Sequence, residues 1–338
     1  MFPVRSTALR AVKELNWVKN RPSVSDIGSR ISKESRSDGP SPSTFLPLLQ
    51  QLPDVEHAVG YGSGVFPQKD HTKKVMVDLI LVTNDPRKWH EENLGRNSEH
   101  YSGIGRMIGG GGIATIQGSG GWFNPYVKIL GTDVKYGVVA KDALLEDLRG
   151  WTGLYFAGRM HKPTLTLKED GDVEEAKRGN LEFATAAAVL GLGRRFSKVE
   201  LFTEISSLSY RGDPRMLTGA EDPNKVRKLV ESDGQLKRFE KLYADALEGL
   251  VEDNLIRESV NGEWYEWDEE AGEAREKLFR RLPREVRKIA GGEKGVGKAL
   301  EGIVWNASLR QTVKGVVTAG VGKSAWYALE KFKKGRGK

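Results

Sequence analysis

The residues Tyr61-Gly62-Ser63-Gly64-Val65-Phe66 combine types that suit phosphate chemistry. Glycines at 62 and 64 let the backbone approach a polyphosphate with no Cβ in the way. Backbone N–H groups and the Ser63 hydroxyl can then bind phosphate oxygens. Further on, Val75-Met76-Val77-Asp78-Leu79-Ile80-Leu81-Val82 reads as a strand buried on both faces at a sheet centre, with Asp78 its lone acid. A carboxylate beside a phosphate turn can hold a divalent cation. Cation and donors together stabilise the charge that builds as pyrophosphate leaves. The chemistry this pattern predicts is metal-assisted nucleotidyl transfer. The plain alternative is a tight turn at 62–64 and a strand Asp that caps a nearby loop.

Such sites usually carry Asp-x-Asp or Asp-x-Glu on the second strand, but Ile80 stands two residues after Asp78. Asp85 follows the strand and is a candidate second ligand, although an Asp before Pro86 more often shapes a turn. Gly292-Glu293-Lys294-Gly295-Val296-Gly297-Lys298 has the spacing of a P-loop. Ala299 occupies the place of the metal-binding hydroxyl, and the residues before it, 283–290, read as a basic helix instead of a strand. This stretch is expected to be a flexible basic linker.

The chain has no cysteine, which removes thiol nucleophiles, disulfides and Cys-ligated zinc together. Its five histidines are scattered without metal-ligand spacing. A metal here is therefore expected to be a hard cation on oxygen ligands, such as Mg²⁺. The formal charge of +7 points to an anionic partner. At 338 residues, the length suits two domains, and no apolar run is long enough to span a bilayer.

The elements that would hold the site read as α/β. Residues 1–43 form a basic, serine-rich N-terminus, compatible with an organellar transit peptide, although Glu14, Asp26 and Glu34 count against that. A domain over 44–190 is expected to hold strands at 57–61, 75–82, 123–129, 134–139 and 165–167. Helices are expected at 46–52, 89–94 and 143–151, with glycine-rich loops at 109–112 and 118–121. A helical domain over 191–282 is expected to include amphipathic stretches at 199–208 and 224–250. The last segment, 283–338, is expected to be a basic linker followed by an amphipathic helix. In it Val313, Val316 and Val317 recur at helical spacing among Arg310, Lys314, Lys323 and Lys331, the profile of a helix on an anionic membrane surface. The alternative is a helix packed on its own domain with a solvated basic tail. Basic excess at the C-terminus, instead of basic and aromatic residues interleaved along the core, favours lipid over nucleic acid.

A longer set of ordered stretches makes the pattern more specific. They are Tyr61 to Gln68, Val77-Asp78-Leu79-Ile80, Trp89-His90 with Asn93, His100-Tyr101-Ser102, Asn124-Pro125-Tyr126-Val127, Lys135-Tyr136-Gly137-Val138, Leu154-Tyr155 to Lys162-Pro163, Leu208-Ser209-Tyr210 with Gly212-Asp213, and Lys314-Gly315 with Thr318-Ala319-Gly320. From about residue 58 onward the chain resembles the mitochondrial-type phosphatidate cytidylyltransferases, the translocator assembly and maintenance family of CDP-diacylglycerol synthases. The resemblance implies a polymerase-beta-like nucleotidyltransferase domain, then a winged-helix-like helical domain and a membrane-binding C-terminal helix. It implies that CTP and phosphatidic acid give CDP-diacylglycerol and pyrophosphate with Mg²⁺, for cardiolipin and phosphatidylglycerol synthesis. It places the protein peripherally on the matrix side of the mitochondrial inner membrane. Ser63, Gly62 and Gly64 would hold CTP phosphates and Asp78 the Mg²⁺. Lys135, Arg159 and Lys162 would bind triphosphate or headgroup, and Tyr61, Tyr101, Asn124 and Tyr126 would line the pocket. The rival readings are a nucleotidyltransferase acting on RNA or a small molecule, and a non-catalytic basic membrane-binding module.

Overall fold

A computed structural model describes residues 40–66, 76–213, 225–232, 234–267 and 272–319. Its centre is a five-stranded mixed sheet of β1 (His57–Tyr61), β2 (Val77–Thr83), β3 (Gly121–Ile129), β4 (Thr132–Ala140) and β5 (Leu165–Lys168), in the order β3-β4-β2-β1-β5. β2 and β4 run parallel, and every other pairing is antiparallel. The apolar run expected to be central is central, with β2 flanked on both sides and buried along nearly its whole length.

Side chains alternate across a strand, so this sheet has two apolar faces. Val59, Ile80, Val82, Phe123 and Val139 face one core, shared with α4 (Lys141–Gly150), the short α5 (Ala157–Met160) and the long α6 (Gly171–Gly191). Ala58, Leu79, Leu81, Tyr136 and Val138 face a second core, with Phe45 and Leu48 of α1 (Pro42–Leu49) and Trp89 of α2 (Pro86–Arg96). The hairpin between β3 and β4 turns on Leu130 and Gly131, both at positive φ (47° and 74°). That pair of conformations matches the right-handed twist of the strands.

Beyond α6 come β6 (Arg195–Ser197), α7 (Lys198–Ser207), α8 (Lys225–Glu231), α9 (Gln235–Glu252), β7 (Arg257–Glu258) and β8 (Trp264–Glu266). The three strands form a small sheet, β6-β8-β7. A capping box at Ser197 and Glu200 starts α7. The chain continues through α10 (Gly272–Arg281) and α11 (Arg284–Ala290) into α12 (Val296–Ala319).

Three expectations need correction. Gly109 to Gly112 lie inside helix α3 (Gly103–Gln117), which breaks direction only at Gly109 (φ 66°, ψ 178°). Ile108, Ile113 and Ile116 pack this helix against Tyr101 and Trp122, and burial outweighs the low helix propensity of glycine. Gly110 serves close packing, since a Cβ there would lie 2.4 Å from Glu91 Cγ on α2. The stretch 224–250 is two helices, because Gly234 takes a left-handed φ of 70° between them. The expected linker 291–298 is short turn and helix: Gly291 at φ 63° ends α11, a 3₁₀ turn spans Glu293–Gly295, and residues 296–298 already belong to α12. No strand precedes this glycine run, so it is not a P-loop.

Candidate active site

The site lies at one end of the sheet. Strand register puts Tyr61 opposite Asp78 and Asp78 opposite Lys135, a row across β1, β2 and β4. Paired residues share a face, so all three side chains project to the same side. On the next strand, register slips between Asn124 and Val127, and Pro125 and Tyr126 bulge opposite Lys135. Tyr126 takes a φ of 56° there and is exposed.

Lys135 Nζ donates to Asp78 Oδ1 at 3.1 Å, with side-chain exposures of 31% and 20%. Both charges therefore reach solvent while sitting on the floor of the site. The Tyr61 phenol and the Asp78 carboxylate hold the Lys135 ammonium above the ordinary lysine range, against the opposing effect of burial. Burial in turn pushes the Tyr61 phenol up.

The glycine turn follows β1 directly. Val65 N–H and Phe66 N–H both donate to Gly62 O, at 3.1 and 2.9 Å, which curls the chain back on itself. Gly62 sits at φ 74°, and a Cβ there would be 3.4 Å from Asp78 Oδ2. Gly64 passes so close to β2 that a Cβ would fall 2.1 Å from Met76 O. Both glycines are thus required by geometry, and they bring the turn against the Asp78 carboxylate. Ser63 is half-buried on this turn, and its hydroxyl has no hydrogen-bond partner among the described residues.

A cationic wall completes the site. Arg159, on α5, lies over the Tyr155 ring with its guanidinium carbon 3.9 Å from the centroid. Lys135 and Arg159 both sit over the Phe123 ring, at 5.5 and 5.8 Å. Lys162 donates to Gly158 O at 2.8 Å and to Ser209 Oγ at 3.2 Å, and lies over the Tyr210 ring at 4.9 Å. Arg238 of α9 lies over the Phe66 ring at 5.2 Å, adding a fourth cation beside the glycine turn.

Asp147 fixes this wall. Its two carboxylate oxygens accept from four backbone N–H groups, those of Gly153, Leu154, Phe156 and Ala157, at 2.8 to 3.0 Å. They hold a turn in which Trp151 and Leu154 both take positive φ, at 54° and 52°. Asn180 braces it from α6, accepting from Trp151 Nε1 at 2.7 Å and donating to Ala157 O at 3.1 Å.

The structure therefore brings together Tyr61, Gly62, Ser63, Gly64, Asp78, Lys135, Arg159 and Lys162, with Tyr126 at the rim. It does not bring Tyr101 and Asn124 to them. Asn124 pairs with Tyr136, which follows Lys135 and so points to the opposite face. There Asn124 Nδ2 and Asn93 Nδ2 donate to the Tyr136 oxygen at 2.9 and 2.8 Å, and Tyr101 OH bonds to His90 Nδ1 at 2.9 Å. This buried network ties α2 to the sheet.

Asp85 is also remote. It lies beyond the far end of β2 and caps α2, accepting from Lys88 N–H at 3.0 Å. No cluster of three or more His, Asp or Glu able to hold a metal occurs among the described residues. Asp78 is the carboxylate beside the phosphate turn. That fits a cation held by one carboxylate and completed by substrate phosphates and water, the usual habit of Mg²⁺.

Sequence reasoning gave no role to Phe123, Tyr155, Ser209, Tyr210 or Arg238. Three of these lie in stretches already quoted, Leu154-Tyr155 and Leu208-Ser209-Tyr210, so their recurrence in a pattern was the available signal. Of the C-terminal residues, Arg310 and Lys314 lie on α12. Lys314 donates to Gln117 O at 2.6 Å and Gln311 to Gly121 O at 3.1 Å, so this part of the helix packs on its own domain. Val317 is on the same helix, and Lys323 and Lys331 lie outside the described residues. No described helix is long and apolar enough to cross a membrane.

Comparison with known proteins identifies a family. The family described as mitochondrial phosphatidate cytidylyltransferase matches residues 45–295 and again 291–334. The protein of that name from Xenopus laevis is 35% identical over 323 residues, covering 86% of this chain and 94% of its own. That of Schizosaccharomyces pombe is 33% identical over 318 residues, covering 83% and 80%. The human protein is 33% identical over 309 residues, covering 82% and 67%. With the family's model matching most of its length and these relatives at about a third identity, the chain belongs to the mitochondrial phosphatidate cytidylyltransferase family.

Proposed function

We propose that this protein transfers the cytidylyl group of CTP to phosphatidic acid, giving CDP-diacylglycerol and pyrophosphate. The observation that carries this is the row Tyr61–Asp78–Lys135, set against the glycine turn and facing Arg159 and Lys162. One carboxylate among several cations suits a site that gathers anionic phosphates.

In this reading Ser63 and the turn amides hold the triphosphate, and the cleared space at Gly62 and Gly64 lets it approach. Lys135 and Arg159 neutralise its non-bridging oxygens. Lys162, beside the second domain, takes the phosphate of the lipid. An ionised phosphatidate oxygen attacks the α-phosphorus as the bond to the pyrophosphate oxygen breaks in line. The nucleophile is already an anion, so no side chain has to remove a proton. Asp78 holds Mg²⁺, which supplies charge neutralisation for the leaving pyrophosphate when bound.

The mixed sheet with its glycine turn supports a polymerase-beta-like first domain. The order α6, β6, α7, helices α8 and α9, β7, β8 supports a winged-helix-like second one. Mitochondrial naming of the relatives and the basic C-terminal segment support peripheral attachment to the matrix side of the inner membrane. The product would feed cardiolipin and phosphatidylglycerol synthesis. The test is pyrophosphate release from CTP, Mg²⁺ and phosphatidic acid, repeated with ATP, GTP and UTP. Release that needs CTP and phosphatidate together is expected, and release without phosphatidate, or none, overturns the reading.

A further inference from the structure

A groove of about 510 Å³ runs between the Thr152–Phe156 turn and α12, on the far side of the aromatic wall from Arg159. Tyr155 and Phe156 line it, and the same two residues back the catalytic side: Tyr155 under Arg159, and Phe156 stacked on Phe123 at 6.3 Å. None of Tyr61, Asp78, Lys135, Arg159 and Lys162 lines the groove, so it is not an arm of the triphosphate site.

Its lining is amphiphilic. Phe156, Ile289, Ala299 and Ile303 supply an apolar floor. Lys298, Arg310 and Lys314 supply positive charge, and Ser119 and Thr152 supply hydroxyls. None of the three cations forms an ion pair with a described carboxylate. Two acids line the groove, but Asp147 is consumed by its four backbone donors, which leaves Glu146 against three cations. Arg310 and Lys314 stand one helical turn apart, a like-charge spacing that costs a helix stability unless an anion sits between them. Partial burial, and then Arg310 beside it, lower the Lys314 ammonium below the ordinary lysine range, as expected of a cation lacking its counter-charge. The apolar character extends past the rim, where Ile289 is 60% exposed and Leu309, on the neighbouring face of α12, is 50% exposed.

A free phosphate would use the cations and leave the floor wet. An apolar chain alone would leave the cations unpaired. One ligand class uses both. We propose that this groove is a second lipid site, which takes an anionic glycerophospholipid with its phosphate between Arg310 and Lys314 and an acyl chain along Ile303 and Phe156. Ala299 to Lys314 spans roughly 22 Å of helix at 1.5 Å per residue, which leaves room for headgroup and chain in line. A lipid bound here would press on the Tyr155 wall from behind, next to the catalytic cations. It would also fasten the helix that leads into the basic C-terminal segment.

The test uses the full chain and needs neither CTP nor turnover, so it stands or falls apart from the proposed reaction. Gly302 lines the groove, and a Cβ there meets no atom within 4 Å, so Gly302→Trp introduces an indole into the groove. Dihexanoyl-phosphatidylglycerol, kept below its micellar concentration, is titrated by calorimetry into wild type, Gly302→Trp and Arg310→Gln/Lys314→Gln. Binding by wild type, weakened at least about tenfold in both variants, is expected. Dihexanoyl-phosphatidylcholine and inorganic phosphate should each bind at least about tenfold more weakly than the anionic lipid. Equal affinity in wild type and Gly302→Trp overturns the proposal, as does inorganic phosphate matching the lipid. No binding by wild type also overturns it. An unchanged melting temperature shows that Gly302→Trp is folded; if it is not, Gly302→Leu is read in its place.

Discussion

Asp78 and Lys135 stand directly opposite each other on neighbouring parallel strands, and Lys135 Nζ reaches Asp78 Oδ1 at 3.1 Å. Opposite charges at the same register of two central strands, both open to solvent, form a poised pair. In the absence of substrate the lysine neutralises the carboxylate. With a triphosphate and its cation in place, each partner has a better use.

That pair predicts a separation of activity from stability. Partly exposed ion pairs contribute about 0–1 kcal/mol. Asp78→Ala should therefore melt within a few degrees of wild type while pyrophosphate release falls by about a thousandfold or more. A folded Asp78→Ala protein with normal turnover would end the assignment of Asp78 to the metal. Chelation with EDTA should silence the wild type, with Mg²⁺ restoring it.

Gly64→Ala and Gly62→Ala should differ in kind. At Gly64 the new Cβ would meet Met76 O at 2.1 Å, so the turn must move off β2. Loss of nucleotide binding is expected, together with a lower melting temperature. At Gly62 the space is adequate and the cost is the φ of 74°, about 1 kcal/mol. Nucleotide KM and thermal melts of the two variants check this order.

Tyr155 should act through Arg159. The ring under the guanidinium contributes about 1–2 kcal/mol in a desolvated setting. Tyr155→Phe keeps the ring and should keep most activity. Tyr155→Ala frees Arg159 and should raise the KM for CTP by about tenfold with a smaller change in kcat. Equal kinetics for the two variants would remove the stacking role.

Asp147→Ala should be among the most damaging substitutions outside the site. It strips acceptors from four backbone N–H groups in a turn that holds two non-glycine residues at positive φ. A loss of about 3–5 kcal/mol is expected in urea unfolding.

Three buried histidines predict acid sensitivity. Burial, aided by Lys177, lowers His57 to about 4; burial lowers His90 to about 4; and burial, aided by Lys162, lowers His161 to about 3. Each is neutral in the folded chain, whereas the unfolded chain binds protons below about 6.5. Their contribution is whole above that pH and is lost as pH falls toward 4, at up to about 1.4 kcal/mol per pH unit for each histidine. Urea midpoints at pH 7.5 and 5.0 should show the fall. His57 makes no hydrogen bond with either ring nitrogen, so His57→Leu should lessen the slope without a large cost at neutral pH.

The sequence by itself determined β1, β2 and the turn between them, because an apolar run ending in Gly-Ser-Gly and a lone Asp in a buried strand are local signals. It also determined the family, because the matching stretches lie in order along the chain. The faces were decided only by tertiary structure. Tyr101 and Asn124 carry the same promise in sequence as Tyr61 and Lys135, but strand alternation sends Asn124 to the opposite side of the sheet, and Tyr101, in the connection after α2, joins it through Asn93 in the Tyr136 network. Glycines 109–112 read as a loop because their low propensity is local, and packing on Trp122 and α2 overrides it from a distance. The aromatic wall of Phe123, Tyr155 and Tyr210 comes from a β-strand, a turn and the 3₁₀ turn after α7, and no spacing rule joins those three. Local pattern fixed which backbone could cradle a phosphate, and long-range burial selected the side chains that surround it.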